Sequence, residues 1–184
     1  MRARLIAGFF LVCCAFGLGA CASRFAGQAA APLRIPPAAL GERTVEQRLV
    51  MRWPGGERSA EAVLEIADGR LRLVMLAFGL RLLGLEYDGE KLVEQRFAPH
   101  APEGVRILND LLLIAAPLED LRRALPPGAS VTERRVDGKL RREVVLDGAA
   151  QVVVDYETES PWLGRVAFAH RAMGYELILE SHEI

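Results

Sequence analysis

The chain has 184 residues, of which 51% are hydrophobic, and its 23 basic and 24 acidic side chains give a formal net charge of −1. No basic stripe and no basic amphipathic helix is evident, which disfavours nucleic-acid binding and attachment to anionic lipid through such a helix. The three cysteines all fall within the first 21 residues, so the rest of the chain can form neither a disulfide nor a cysteine metal site.

The first twenty residues have the layout of an export signal. Two arginines form a short basic start, residues 5–18 are an uncharged apolar run, and two small residues follow. The apolar run is shorter than the roughly 20 residues that a membrane-spanning helix needs, so a permanent transmembrane anchor is the weaker alternative. We therefore predict a signal peptide at residues 1–20.

The end of this segment, Leu18-Gly19-Ala20-Cys21, resembles the lipobox of bacterial lipoproteins. The resemblance implies that Cys21 receives a diacylglycerol and becomes the first residue of the mature chain. The alternative is an ordinary cleavage site followed by a chance cysteine. Because Ala22, and not Asp, follows the anchor, the sequence resembles lipoproteins that enteric bacteria send to the outer membrane. We expect attachment by acyl chains to the periplasmic face of that membrane.

The next segment, residues 21–39, is rich in Ala and Pro and is interpreted as the lipidated N-terminus and a flexible tether, which leaves residues 40–184 as a single domain. From residue 44 the hydrophobic period is two, as in strands with one buried face. Turn motifs, above all Asp-Gly pairs, separate the alternating segments and predict antiparallel hairpins. Strands are expected at residues 44–53, 62–66, 71–75, 82–87 and 91–97.

The middle of the chain changes to a helical period. Residues 105–116 place their large apolar side chains on one face, Pro117 interrupts them, and residues 118–125 form a second helix with acids first and bases last. Alternation then returns, and further strands are expected at residues 130–136, 140–146, 151–156, 163–170 and 175–181. The order of elements predicts an α+β fold: a curved antiparallel sheet of about nine to eleven strands, a half-barrel, with helices packed on its concave face.

Several segments are similar to a family of uncharacterised bacterial outer-membrane lipoproteins, a domain of unknown function. The similar stretches are residues 35–41 with Gln47 downstream, 82–89, 107–113, 117–118, 125–126 and 174–175. Members of this family resemble the LolA/LolB lipoprotein carriers in fold, which implies a half-barrel closed by helices around an apolar cavity for acyl chains. The family also accompanies pathways that make aryl-polyene-type or unusual fatty acyl products. It often has Trp where this chain has Ala116.

An apolar cavity would be lined by the hydrophobic side of the alternation, although core packing explains the same residues equally well. The cavity candidates are Leu49, Met51, Leu64, Ile66, Leu73, Met75, Leu111, Val144, Val154, Phe168 and Leu177. The most apolar stretch of the domain, residues 71–85, is interpreted as a buried hairpin. The alternative is that Phe78 and Leu80 project near its bend and contact a membrane or a partner.

No catalytic constellation is evident in the sequence. His100, His170 and His182 have no further ligand at metal spacing and are expected on loops or strand surfaces. Asn109-Asp110 is interpreted as solvated or as part of a helix-to-strand hydrogen bond, with a polar patch as the alternative. Trp162 is interpreted as a packing residue, with a place at a cavity rim as the alternative. We predict no catalytic residue, no metal and no cofactor.

The favoured hypothesis is a monomeric outer-membrane lipoprotein that binds or transfers a lipid or another acyl-type ligand. The alternative is a non-enzymatic scaffold lipoprotein of an envelope complex, with a core filled by its own side chains. A ligand-sized apolar void would separate the two hypotheses. A periplasmic enzyme, the third class, would need a cleft with convergent polar groups.

Overall fold

The computed structural model describes residues 31–99 and 101–184. The predicted signal peptide, Cys21 and His100 lie outside these ranges. After a short 3₁₀ helix (Pro37–Leu40), the elements follow in the order β1 (Arg43–Trp53), β2 (Gly56–Ala67), β3 (Arg70–Ala77), β4 (Leu80–Tyr87), β5 (Leu92–Arg96), α1 (Gly104–Ala115), α2 (Leu118–Ala124), β6 (Ala129–Val136), β7 (Lys139–Leu146), β8 (Ala149–Tyr156), β9 (Gly164–His170) and β10 (Tyr175–Glu183).

The ten strands form one curved, unclosed antiparallel sheet in the order β5-β4-β3-β2-β1-β10-β9-β8-β7-β6. It consists of two meanders, β1–β5 and β6–β10, which the central pairing of β1 with β10 joins. Helices α1 and α2 connect the two edge strands. The predicted antiparallel sheet with two helices is thereby confirmed. Neither helix is long and apolar enough to cross a membrane.

The period of two in the sequence separates an apolar face of the sheet from a charged face. On the apolar face, Leu49 lies opposite Leu179 across the β1–β10 pair. On the charged face, ion pairs cross between strands, such as Arg141 with Asp155 (Nε to Oδ1, 2.6 Å) and Arg134 with Glu143 (2.8 Å). These pairs are partly solvated and contribute little to stability individually, so burial on the apolar face dominates the fold.

Helix α1 packs against the apolar face, since side chains from four strands on that face contact it. Its first residue, Gly104, donates its backbone N–H to Glu94 of β5 at 3.0 Å. A side chain at this position would come within 2.4 Å of Leu85. Glycine therefore permits the close approach of the helix start to the sheet.

The segment before β1 belongs to the folded domain. Ile35, Pro37 and Leu40 are buried. The backbone N–H of Leu33 donates to Asn109 Oδ1 at 2.8 Å, and the Tyr87 hydroxyl donates to the Leu33 carbonyl at 2.7 Å. The flexible tether predicted for residues 21–39 therefore does not extend over residues 33–39. A Pro-rich composition predicts extended backbone, but it does not show whether that backbone packs against the sheet.

Candidate functional site

The predicted cavity residues form the packed core. All of them except Leu49 and Met51 are 0–5% exposed, and these two are partly buried against the others. Leu111, Leu112 and Ile114 of α1 fill the space next to the sheet. The apolar side chains of the sheet and of the helix therefore bury one another in this conformation.

Two hollows at the surface are lined by other residues. One of about 580 Å³ lies between the segment before β1 and α2, and its lining is Pro32, Arg34, Pro36, Asp120, Arg123 and Ala124. The other, of about 340 Å³, lies between the β1–β2 and β9–β10 turns, where Trp53, Pro54, Arg171 and Tyr175 contribute to its lining. No predicted cavity residue lines either hollow, so a ligand space between sheet and helix stays a prediction.

Two strand side chains hold the C-terminal end of α1. Arg142 of β7 donates from Nη1 to the carbonyls of Leu113 (2.8 Å) and Ile114 (3.1 Å), and Tyr156 of β8 donates to the Ile114 carbonyl at 2.6 Å. The last carbonyls of a helix lack partners within the helix, and a cation is favoured there. Arg142 also pairs with Glu133 at 2.6 Å. These bonds fix α1 over the sheet.

A buried polar cluster holds the middle of α1. The hydroxyl of Tyr175 donates to Asp110 Oδ2 at 2.5 Å, and the Asp110 side chain is almost fully buried. Burial raises the pKa of Asp110 to about 7, although the hydrogen bond from Tyr175 and the charge of Arg106 oppose this shift. The helix-to-strand hydrogen bond considered for Asn109-Asp110 is present. The sequence showed neither its partner nor its burial.

His170 belongs to the same cluster. Its ring centroid lies 5.4 Å from that of Tyr175, and within the described ranges its buried Nδ1 has no hydrogen-bond partner. Burial lowers the pKa of His170 to about 4. The expected surface position of this histidine is wrong, because it continues the inward alternation of Val166 and Phe168 on β9. That alternation was the signal in the sequence. His182 does lie exposed on β10, where it pairs with Glu46.

The turn between β3 and β4 projects apolar side chains. Phe78 is fully exposed, and Leu80 is 71% exposed. Phe78 and Gly79 both have positive φ, 52° and 74°, which is the backbone of a type I′ hairpin turn. In a bulky residue this conformation is uncommon and costs about 1–2 kcal/mol. Both side chains are therefore exposed to solvent, as a contact with a membrane or a partner requires.

Residues 31–99 and 101–184 contain three other turns of the same geometry, and each has aspartate at the position of Phe78. Asp68, Asp137 and Asp147 have φ of 51–52°, and glycine follows each of them with positive φ. Aspartate tolerates this backbone and prefers water. Phe78 is thus an apolar substitute at a position where the same fold otherwise has a charge.

Other residues singled out in the sequence have structural roles. Trp162 is buried, and the guanidinium of Arg43 lies 5.0 Å from the centre of its ring. The Asn109 side chain accepts from Leu33 and donates to the Ala31 carbonyl at 3.1 Å. The described ranges contain no group of three potential metal ligands.

The fold and these features define a single-sheet domain with a pinned helix and an exposed apolar hairpin tip. The chain belongs to the family described as protein of unknown function (DUF3261), whose sequence model matches residues 44–183. The expected membership in a domain of unknown function is confirmed. No curated protein matches the sequence.

Two solved structures are similar in outline. One is a DUF1329 family protein from Desulfovibrio piger, with a TM-score of 0.36 and 9% identity over 79% of this chain and 87% of that chain. The other is the lipoprotein LppX of Mycobacterium tuberculosis, with a TM-score of 0.34 and 13% identity over 79% of this chain and 94% of that chain. Likenesses this distant carry no information about function.

Proposed function

We propose that the protein is a lipid-handling lipoprotein that contacts a membrane or an acyl chain through the β3–β4 tip, from a lipid anchor at Cys21 in the outer membrane. The observation that supports this proposal is the exposure of Phe78 at a strained turn position. The strain and the exposed aromatic surface are both unfavourable in water. Strained residues of this kind concentrate at functional sites.

A lipid environment offsets this cost. Transfer of a Phe side chain out of water contributes roughly 1.5–3 kcal/mol, which is similar to or larger than the strain of the turn. Leu80 adds a second apolar side chain next to it. The tip therefore gains free energy only where water is excluded.

The proposed carrier mechanism is that of a LolA/LolB-like half-barrel with its helices on the concave face. The filled core requires α1 to move before an acyl chain can enter between the helix and the sheet. If α1 does not move, the same filled core favours the alternative, a scaffold lipoprotein that uses the tip for a partner. Uptake of a ligand distinguishes the two.

Substitution of Phe78 tests the proposed contact. We expect Phe78→Asp to abolish the binding of the unlipidated chain to phospholipid vesicles, measured by flotation. Its free energy of unfolding should stay equal or rise by up to about 1 kcal/mol, because aspartate tolerates the turn geometry better. Leu163→Asp is the matched control, since this residue is also more than half exposed but lies before β9, at the opposite end of the sheet. Retained binding by Phe78→Asp would contradict the proposal.

Native mass spectrometry of the chain from residue 22 onward, purified without detergent, tests the hypothesis that the protein carries an acyl-type ligand. We expect about one acyl-type ligand per chain, because a single core is available to accept it. A ligand-free mass and no uptake of added fatty acid or phospholipid would favour the scaffold.

A further inference from the structure

Two arginines lie on the strands around the β3–β4 turn, Arg58 on β2 and Arg81 on β4, one on each face of the sheet. Arg58 pairs in register with Met51, which lies on the apolar face, and its guanidinium lies 5.9 Å from the centre of the Trp53 ring. Arg81 pairs with Leu76 on the charged face, and its guanidinium lies 4.6 Å from the centre of the Phe97 ring.

Neither of these arginines is neutralised. Most arginines in the described ranges have a carboxylate within 4.0 Å, such as Arg141 and Arg134 on the same sheet. All acidic residues of the chain lie in those ranges, and none of them forms an ion pair with Arg58 or Arg81 there. The two cations are therefore available to an anion from outside the protein.

The tip combines these cations with exposed apolar side chains. Phe78 is fully exposed at the apex, Leu80 lies next to it, and Phe97 is 52% exposed beside Arg81. Arginine binds phosphate oxygens through two parallel N–H groups, and aromatic side chains are favoured at the boundary between lipid and water. Exposed apolar side chains between cations on both faces of the sheet match the acyl layer and the phosphates of an anionic membrane, whereas a protein partner would have to supply an apolar site with acidic groups on both sides.

We propose that the tip surface, formed by Trp53, Arg58, Phe78, Leu80, Arg81 and Phe97, docks on a membrane of anionic phospholipid. Phe78 and Leu80 enter the acyl layer, and Arg58 and Arg81 pair with headgroup phosphates on either side of them. The inference rests on the proposed lipid contact of the β3–β4 tip and adds the charge of its partner.

The test uses the mature chain from residue 21 with Cys21→Ser, which removes the anchor and keeps every described residue. Binding is measured by flotation with vesicles of phosphatidylcholine alone and of phosphatidylcholine mixed with phosphatidylglycerol. We expect tighter binding to the mixed vesicles, weakened by salt. The double variant Arg58→Gln with Arg81→Gln should lose about thirtyfold in affinity for the mixed vesicles and keep its binding to the neutral ones.

Arg165→Gln is the matched control, since Arg165 also has no ion pair in the described ranges but lies at the start of β9, at the opposite end of the sheet. It should bind as the parent does. Unchanged thermal unfolding of all variants shows that the fold is intact. If the parent binds both kinds of vesicle equally and the double variant has the same affinities, the inferred preference for anionic lipid is wrong, while the proposed lipid contact is still supported. If the parent binds neither vesicle, both fall, and a protein partner becomes the occupant of the tip.

Discussion

Replacement of Arg142 by leucine is expected to lower the free energy of unfolding by about 3–5 kcal/mol. Its side chain is 7% exposed, and its guanidinium pairs with Glu133 and donates to the carbonyls of Leu113 and Ile114 at the end of α1. The substitution leaves the Glu133 carboxylate and the Leu113 carbonyl without this partner in a poorly solvated place, while the Ile114 carbonyl keeps its bond from Tyr156. Unmade hydrogen bonds of buried groups cost more than made ones contribute. Urea unfolding followed by circular dichroism measures the effect.

The adjacent residue provides the control. Arg141 forms a two-bond ion pair with Asp155 on the charged face, at 2.6 and 2.9 Å, but both side chains are partly solvated. Arg141→Leu should therefore cost at most about 1 kcal/mol. If Arg142→Leu lowered the free energy of unfolding by no more than Arg141→Leu does, at most about 1 kcal/mol, the bonds from Arg142 to α1 would not stabilise the fold.

The Asp110–His170 cluster is expected to give the protein an unusual dependence of stability on pH. The pKa of folded Asp110, about 7, lies above its ordinary value of 3.8, so the carboxyl is protonated in the folded chain and ionised in the unfolded chain between these values. The contribution of Asp110 to the free energy of unfolding is fully present below about pH 4 and is lost as the pH rises through 7. At about 1.4 kcal/mol per pKa unit, the loss is roughly 4 kcal/mol.

His170 acts in the opposite direction. Its folded pKa of about 4 lies below the ordinary 6.5, so the ring is neutral in the folded chain and protonated in the unfolded chain between these values. Its contribution is fully present above about pH 6.5 and is lost as the pH falls through 4. Between about pH 4 and 6.5 the two slopes offset each other.

Two substitutions separate these contributions. We expect the stability of Asp110→Asn to rise with pH between about 4 and 6.5, because only the histidine then contributes. The stability of His170→Phe should fall between about pH 4 and 7, because only the carboxyl remains. Unfolding curves in urea at several pH values, compared with the parent chain, measure both. Other titrating groups affect the three proteins alike, so parallel profiles would refute the assignment to this cluster.

The sequence by itself determined the strands and the helices, because their signals are local. Alternation along β1 and β9 reports one buried face, and Asp-Gly pairs such as Asp68-Gly69 supply the two positive φ values of a tight hairpin. The exposure of Phe78 has the same local origin, since the central residues of a two-residue turn point away from the sheet. The sequence nevertheless named the candidate tip only as the alternative to a buried hairpin, and both its exposure and its strain relative to the aspartate turns required the structure.

The tertiary structure alone decided the rest, because those features join residues far apart in the chain. Ile35 is buried because the segment before β1 is bonded to Tyr87 and Asn109. Asp110 and Tyr175 meet across 65 residues, and Arg142 reaches carbonyls 28 and 29 residues away. Whether apolar side chains line a void or fill it depends on how closely α1 approaches the sheet. Hydrophobic periodicity shows which side of a strand faces inward, but it contains no information about the distance to the element packed against it.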